Sequence, residues 1–88
     1  MNIIIITPKI KIVYDGCSSL LAYNIEGGMF EILSNHENFI SVLAPSDIVI
    51  KKRCKPVYSL LVLPKGILQY NNTSDLCTIA GLYLDVKE

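Results

Sequence analysis

Charge is scarce in this 88-residue sequence, at 18% of residues, and eight basic side chains offset eight acidic ones. That balance leaves no net field to draw in nucleic acid, so the expected partners are proteins. Hydrophobic residues make up 51%, which excludes a disordered chain. No stretch approaches the ~18 consecutive apolar residues that a membrane span requires, so any membrane association is expected to pass through another protein. The apolar opening at residues 1–6 gives way at once to Thr7-Pro8, with no basic leader and no small-residue cleavage site, and is not expected to be a signal peptide. Paired cysteine spacing is missing too. Cys17, Cys54 and Cys77 are odd in number and contain no CxxC, which suits a reducing compartment and small core or surface thiols. Nor is there a linker, repeat or low-complexity tract. One domain over residues 1–88 is expected, burying roughly 60–65% of its unfolded surface, enough for one pair of packed sheets.

Short runs rich in β-branched and aromatic residues recur every eight to twelve positions, separated by turn formers. That cadence predicts an all-β, two-sheet sandwich of about nine or ten strands. Nine runs qualify, at residues 2–7, 10–14, 18–23, 29–33, 39–43, 48–52, 57–63, 67–70 and 76–80. The breaks carry Thr7-Pro8, Asp15-Gly16, Gly27-Gly28, Asn35-His36, Pro45-Ser46-Asp47 and Pro64-Lys65-Gly66, each suited to a turn.

Two segments compete with this pattern. Ser34-Asn35-His36-Glu37 has the form of a capping box, with Phe39, Ile40 and Leu43 able to line a short helix stopped by Pro45. Such a helix would have only about nine residues, too few to stand without packing. Leu76, Ile79, Ala80, Tyr83 and Leu84 also fall at helical spacing. Gly81 and the β-formers Thr78 and Ile79 favour a strand over residues 76–80, and the last eight residues stay unassigned.

Reactive chemistry finds little support. His36 is the single histidine, and no cysteine lies in a nucleophile motif that would pair with it. The scattered cysteines lack zinc-ligand spacing, so neither a catalytic site, a metal nor a cofactor is expected. Lys51-Lys52-Arg53-Cys54-Lys55 gathers four of the eight basic residues, as either a contact for an acidic partner or a solvated hairpin. It has no interleaved aromatics and no glycine-rich cradle, which argues against nucleotide or nucleic-acid binding. The five tyrosines lie in or beside strands, as half-buried sheet residues do.

The segment from Gly28 to His36 differs from the rest. Gly27-Gly28 admits a tight turn, Ser34-Asn35-His36 makes a polar exit, and Met29 and Phe30 would be costly on a loop that met only water. Exposed apolar residues flanked by Glu31, Asn35 and His36 suit the centre and rim of a contact site. Equally compatible with the pattern is a strand whose Phe30 and Ile32 point inward.

The order of landmarks resembles the epsilon subunit of F-type ATP synthases. Thr7-Pro8 and Val13-Tyr14-Asp15-Gly16 stand at the family's first strand end and turn. Gly28, Phe30, Ile32, Leu33, Asn35 and His36 match its Gly-Glu-Phe-Gly-Ile-Leu-Pro-Gly/Asn-His segment. Leu43-Ala44-Pro45-Ser46, Lys65-Gly66-Ile67 and Leu76-Cys77-Thr78-Ile79-Ala80 follow in order, so the resemblance runs through nearly the whole chain. Met29, Glu31, Ser34 and Asn38 depart from it, standing where the family has an acidic residue, a glycine and two prolines.

The resemblance implies a non-catalytic rotor subunit that joins the gamma subunit to the membrane-embedded c-ring, coupling ion-driven rotation to ATP synthesis. It places Met29, Phe30, Glu31, Asn35 and His36 toward the c-ring, and Thr7 and Ser41 on the side that meets gamma. It also implies a peripheral location, through the complex, on the cytoplasmic face of the bacterial inner membrane or the equivalent organelle face. The family's C-terminal helical hairpin of about forty residues has no counterpart before Glu88, so either the hairpin is naturally absent or this chain is a fragment; a chain lacking it is expected to couple without hairpin-based inhibition. Two other readings compete: a free-standing sandwich that binds a different protein, and a small cysteine-dependent enzyme.

Overall fold

A computed structural model of the chain, described over residues 1–87, is built from strands. They are β1 (Asn2–Ile6), β2 (Lys11–Tyr14), β3 (Ser19–Tyr23), β4 (Met29–Leu33), β5 (Phe39–Leu43), β6 (Ile48–Lys52), β7 (Lys55–Leu63), β8 (Gly66–Asn71), β9 (Leu76–Ala80) and β10 (Tyr83–Lys87). The first sheet runs β2-β1-β9-β8-β5 and the second β10-β7-β6-β3-β4. All pairings are antiparallel except β1 with β9, where Ile3 lies opposite Cys77 and Ile5 opposite Ile79. The all-β sandwich expected from the spacing of the runs is therefore the observed fold.

Alternation drives the packing. Every second side chain of a strand faces the partner sheet, and those positions hold Ile3, Ile5, Leu20, Ile32, Ile50, Leu60, Leu68 and Ile79, none of them exposed at all. Each such side chain contributes roughly 1.5–3 kcal/mol by leaving water. The aromatic rings close the flanks of this core. Phe30 of β4 meets Phe39 of β5 with ring centroids 5.1 Å apart, and Tyr14 of β2 meets Tyr58 of β7 at 4.4 Å. At one corner the sheets are also joined by backbone, as Ile25 N–H donates to the Val42 carbonyl and Ala44 N–H to that of Tyr23, both at 2.9 Å.

Turn chemistry sets the register. Arg53 and Cys54 both take positive φ, 53° and 63°, as the tightest hairpins between twisted strands demand, and so deliver β6 directly into β7. Gly27, at φ 95°, supplies a conformation that side chains seldom accept between β3 and β4. Neither competing helix forms. Residues 34–38 make a turn with Asn35 at φ 70°, and the helical spacing after Leu76 is spread over β9 and β10 instead. The tail that the sequence left unassigned is β10 as far as Lys87, pairing antiparallel with β7, and Glu88 lies outside the described residues. A helix there would have left the β7 edge uncovered, and ladder bonding to an existing strand is the more complete use of its backbone groups.

Candidate docking surfaces

Strand direction divides the sandwich into two ends. One gathers the 34–38 turn, the β6–β7 hairpin and the β8–β9 turn; the other gathers Thr7, the 24–28 turn, Pro64-Lys65 and Gly81-Leu82. Between them lie two outer sheet faces. The outer face of the first sheet is poor in charge. Register aligns Val13, Ile4, Thr78, Gln69 and Ile40 in one row across it, and Lys11, Ile6, Ala80, Ile67 and Val42 in the next. Lys11, at the sheet edge, is the one ionised side chain among these ten. Ile40 is 69% exposed, Ile67 56% and Val13 49%, so the apolar members of both rows stand in contact with solvent. A contiguous apolar surface of this kind marks a site meant to be covered.

The residues expected to meet a partner are distributed along β4 and the turn that follows it. Met29 is 62% exposed at the start of the strand, Phe30 is half-buried against Phe39, and Glu31 projects from the outer face of the second sheet. Ile32 is fully buried, so the arrangement in which Phe30 and Ile32 point inward is the one adopted. Asn35 and His36 follow at the opposite end. Four strand steps at ~3.3 Å each separate Met29 from Leu33 by about 13 Å, and the single exposed tip is replaced by an edge strand with a turn at its far end. The reason is periodicity: a five-residue strand with two inward side chains is worth more buried than looped out.

Glu31 is held in place. It accepts a hydrogen bond from Ser19 Oγ at 2.9 Å and lies 3.2 Å from Lys51 Nζ. The Ser19 bond first, and Lys51 second, hold its carboxyl below the usual range. Lys51 is thereby engaged, and Lys52 sits 5.9 Å over the Tyr58 ring, leaving Arg53 and Lys55 as the exposed cations of the β6–β7 hairpin. His36 packs edge-on against Phe39 and Tyr70, with centroids at 5.6 and 6.1 Å.

Thr7 and Ser41 are both buried. The Thr7 hydroxyl accepts from Ile10 N–H at 3.1 Å within its own turn, and Ser41 Oγ contacts the Val42 carbonyl at 3.3 Å. Their outward neighbours Ile6, Ile40 and Val42 belong to the apolar face just described. Sequence reasoning missed that face, although one signal was present: residues 3–6 are isoleucine at every position, without the polar alternation of a strand wetted on one side.

Two thiols are tuned away from nucleophilic chemistry. Burial pushes Cys77 up to about 12 and also raises Cys17, the reverse of an activated thiolate. Among the described residues no cluster of three or more histidine, cysteine or acidic side chains could hold a metal ion. Among the described residues no helix is long and apolar enough to cross a membrane.

No family model matches the sequence, and a search of curated proteins finds no match. The fold, however, is shared with solved structures. A chain in the central stalk/c-ring structure of the Tetrahymena thermophila mitochondrial ATP synthase superposes with a TM-score of 0.76 at 21% identity, covering 96% of this chain and 64% of that one. A chain in the Euglena gracilis mitochondrial ATP synthase structure containing OSCP, F1 and the c-ring gives 0.81 at 15% identity, covering 96% and 51%. This chain thus spans between half and two thirds of their lengths.

Proposed function

We propose that this sandwich is a rotor-stalk subunit of an F-type ATP synthase, of the epsilon type, seated between the gamma subunit and the c-ring. The observation that carries the reading is the outer face of the first sheet, with nine uncharged positions out of ten across two rows. Likeness of fold to chains from two ATP synthase structures supports it, as does the order of landmarks in the sequence.

In this reading gamma covers the apolar face on the side of Thr7 and Ser41, with Ile6, Ile40, Val42 and Ile67 in the contact. The ring meets the free edge of β4. That edge offers unpaired backbone donors and acceptors along its length, flanked by Met29, Glu31, Asn35 and His36, while Phe30 anchors the strand from beneath. Polar loops of a ring need such hydrogen-bonding partners. The subunit performs no bond-making step. Its work is mechanical: torque must pass through a body that does not deform, and two close-packed sheets supply one. It would reach the membrane only through the complex, on the cytoplasmic face or its organelle equivalent.

The test is recovery of partners from detergent-solubilised membranes with a tagged copy of this chain. Gamma and the catalytic head are expected with the native sequence and are expected to be lost with Ile40→Lys and Ile67→Lys together. Recovery of some other protein through the same face, with no gamma, would make this a binding module of a different assembly.

A further inference from the structure

Met1 and Asn2 are tied down on several sides. The Met1 ammonium donates to the Cys17 carbonyl at 2.9 Å, and Cys17 N–H donates back to the Met1 carbonyl at 2.8 Å. Asn2 N–H donates to the Asp75 carbonyl at 3.1 Å, and Asn2 Oδ1 accepts from Gly16 N–H at 3.3 Å. The ammonium also reaches Ser34 Oγ at 3.3 Å and lies 3.5 Å from Asp75 Oδ2, while the Met1 side chain packs against the core. An untethered chain end would fray instead.

Asp75 is where these arms meet. Its Oδ1 accepts from the Tyr70 hydroxyl at 2.7 Å, and its Oδ2 accepts from Ser34 Oγ at 3.2 Å as well as facing the ammonium. The Tyr70 hydroxyl in turn accepts from the backbone N–H of Asn35 at 3.1 Å, which sits in the left-handed region at φ 70°. The start of β1, the turn at residues 34–38 and the β8–β9 turn therefore form one polar clasp. Its arithmetic is exact at the nitrogen: an ammonium has three N–H bonds, and the Cys17 carbonyl, Ser34 Oγ and Asp75 Oδ2 are three acceptors. An acyl group there would leave a single N–H and remove the charge.

We propose that the Met1 nitrogen is a modification-sensitive site: bare, it closes the clasp, and carrying an acyl group it releases the start of β1 from Ser34 and Asp75. Whatever stands on that nitrogen sets how firmly β1 is held. Hydrogen bonds to a charged group are the stronger kind, so losing two of three acceptors together with the charge is a loss that the remaining N–H cannot replace. The Asn35–Tyr70 and Tyr70–Asp75 bonds do not involve the ammonium, so the 34–38 turn keeps them when the clasp opens. The inference does not depend on the rotor-stalk reading, and no part of its test involves gamma or the ring.

The experiment compares two forms of the full chain, made by joining a synthetic peptide of residues 1–16, with a bare or an acetylated amine, to residues 17–88 at the Gly16–Cys17 bond. Amide exchange at Cys17, whose N–H bonds to the Met1 carbonyl, is expected to quicken about tenfold on acetylation, while that of Leu60 in the core stays as before. In an Asp75→Asn background acetylation is expected to change Cys17 exchange by a smaller factor, because one of the contacts it breaks is already weakened. Equal exchange at Cys17 in the bare and acetylated chains would overturn the proposal. An acetylation effect of the same size with Asp75→Asn would overturn the part given to Asp75. Should the acetylated chain fail to fold, Ser34→Ala and Asp75→Asn in the bare chain decide: each is expected to quicken exchange at Asn2 and Cys17, and unchanged rates in both would overturn the clasp.

Discussion

Gly81 and Val62 touch so closely that a Cβ built on the glycine would lie 2.1 Å from Val62 Cγ1. Val62 is 1% exposed and cannot swing away. The link between β9 and β10 passes over β7 with no room for a side chain, and this contact decides where the tenth strand is laid.

Gly81→Ala should therefore destabilise the protein by about 1–3 kcal/mol, the usual cost of overpacking. Val62→Ala alone should also destabilise, by leaving a void. The double variant Gly81→Ala with Val62→Ala should be more stable than the sum of the two losses predicts. Urea midpoints of the four proteins check this; strict additivity would mean that the strand link moves freely.

Acid should act through Asp75. The Tyr70 hydroxyl first, despite some opposing desolvation, holds the Asp75 carboxyl below its usual value. A carboxyl depressed in the folded state stabilises it fully above the unfolded-state value, and the contribution is lost as pH falls through the folded-state value. Stability should decline from about pH 4 downward, and Asp75→Asn should show a shallower decline over the same window. Denaturant midpoints taken from pH 6 to pH 2 on both proteins test the sign.

Thiol access should separate the three cysteines. Cys54 is exposed at its hairpin, whereas Cys17 and Cys77 are buried. An alkylating reagent should modify one site per folded chain and three after unfolding, as read by intact mass. Rapid modification of Cys77 in the native protein would contradict its placement in the core.

Core truncation sets the scale for the rest. Leu20→Ala or Ile79→Ala, each at a fully buried position, should cost about 2–5 kcal/mol. Ile40→Lys, on the open face, should change thermal stability little, so a loss of partner binding in that variant can be assigned to the surface.

Much of the fold was legible because strand signals are local. The runs at residues 29–33, 39–43, 48–52 and 76–80 coincide with β4, β5, β6 and β9 to the residue. The others differ only at their ends, as at Val57, where ladder bonds to β6 extend β7 back to Lys55. β10 stayed hidden because Leu84 and Val86 alternate within a segment also compatible with a helix, and only its pairing with β7 chooses between them. The candidate site was less legible. Sequence order put Met29 and His36 near each other, but the strand between them sets them at opposite ends. What Asn35 rests on was beyond reach altogether, since Tyr70 and Asp75 arrive from 35 residues or more away along the chain.

The parallel ladder between β1 and β9 has a kinetic consequence. The second strand of the first sheet cannot gain its inner neighbour until residue 76 and beyond have left the ribosome. Until then the isoleucines of β1 have one short hairpin partner and no completed layer to lean on. Synthesis of this chain should accordingly pass through a long interval in which its most adhesive segment is unsheltered, lasting until the β9 segment has emerged to pair with it.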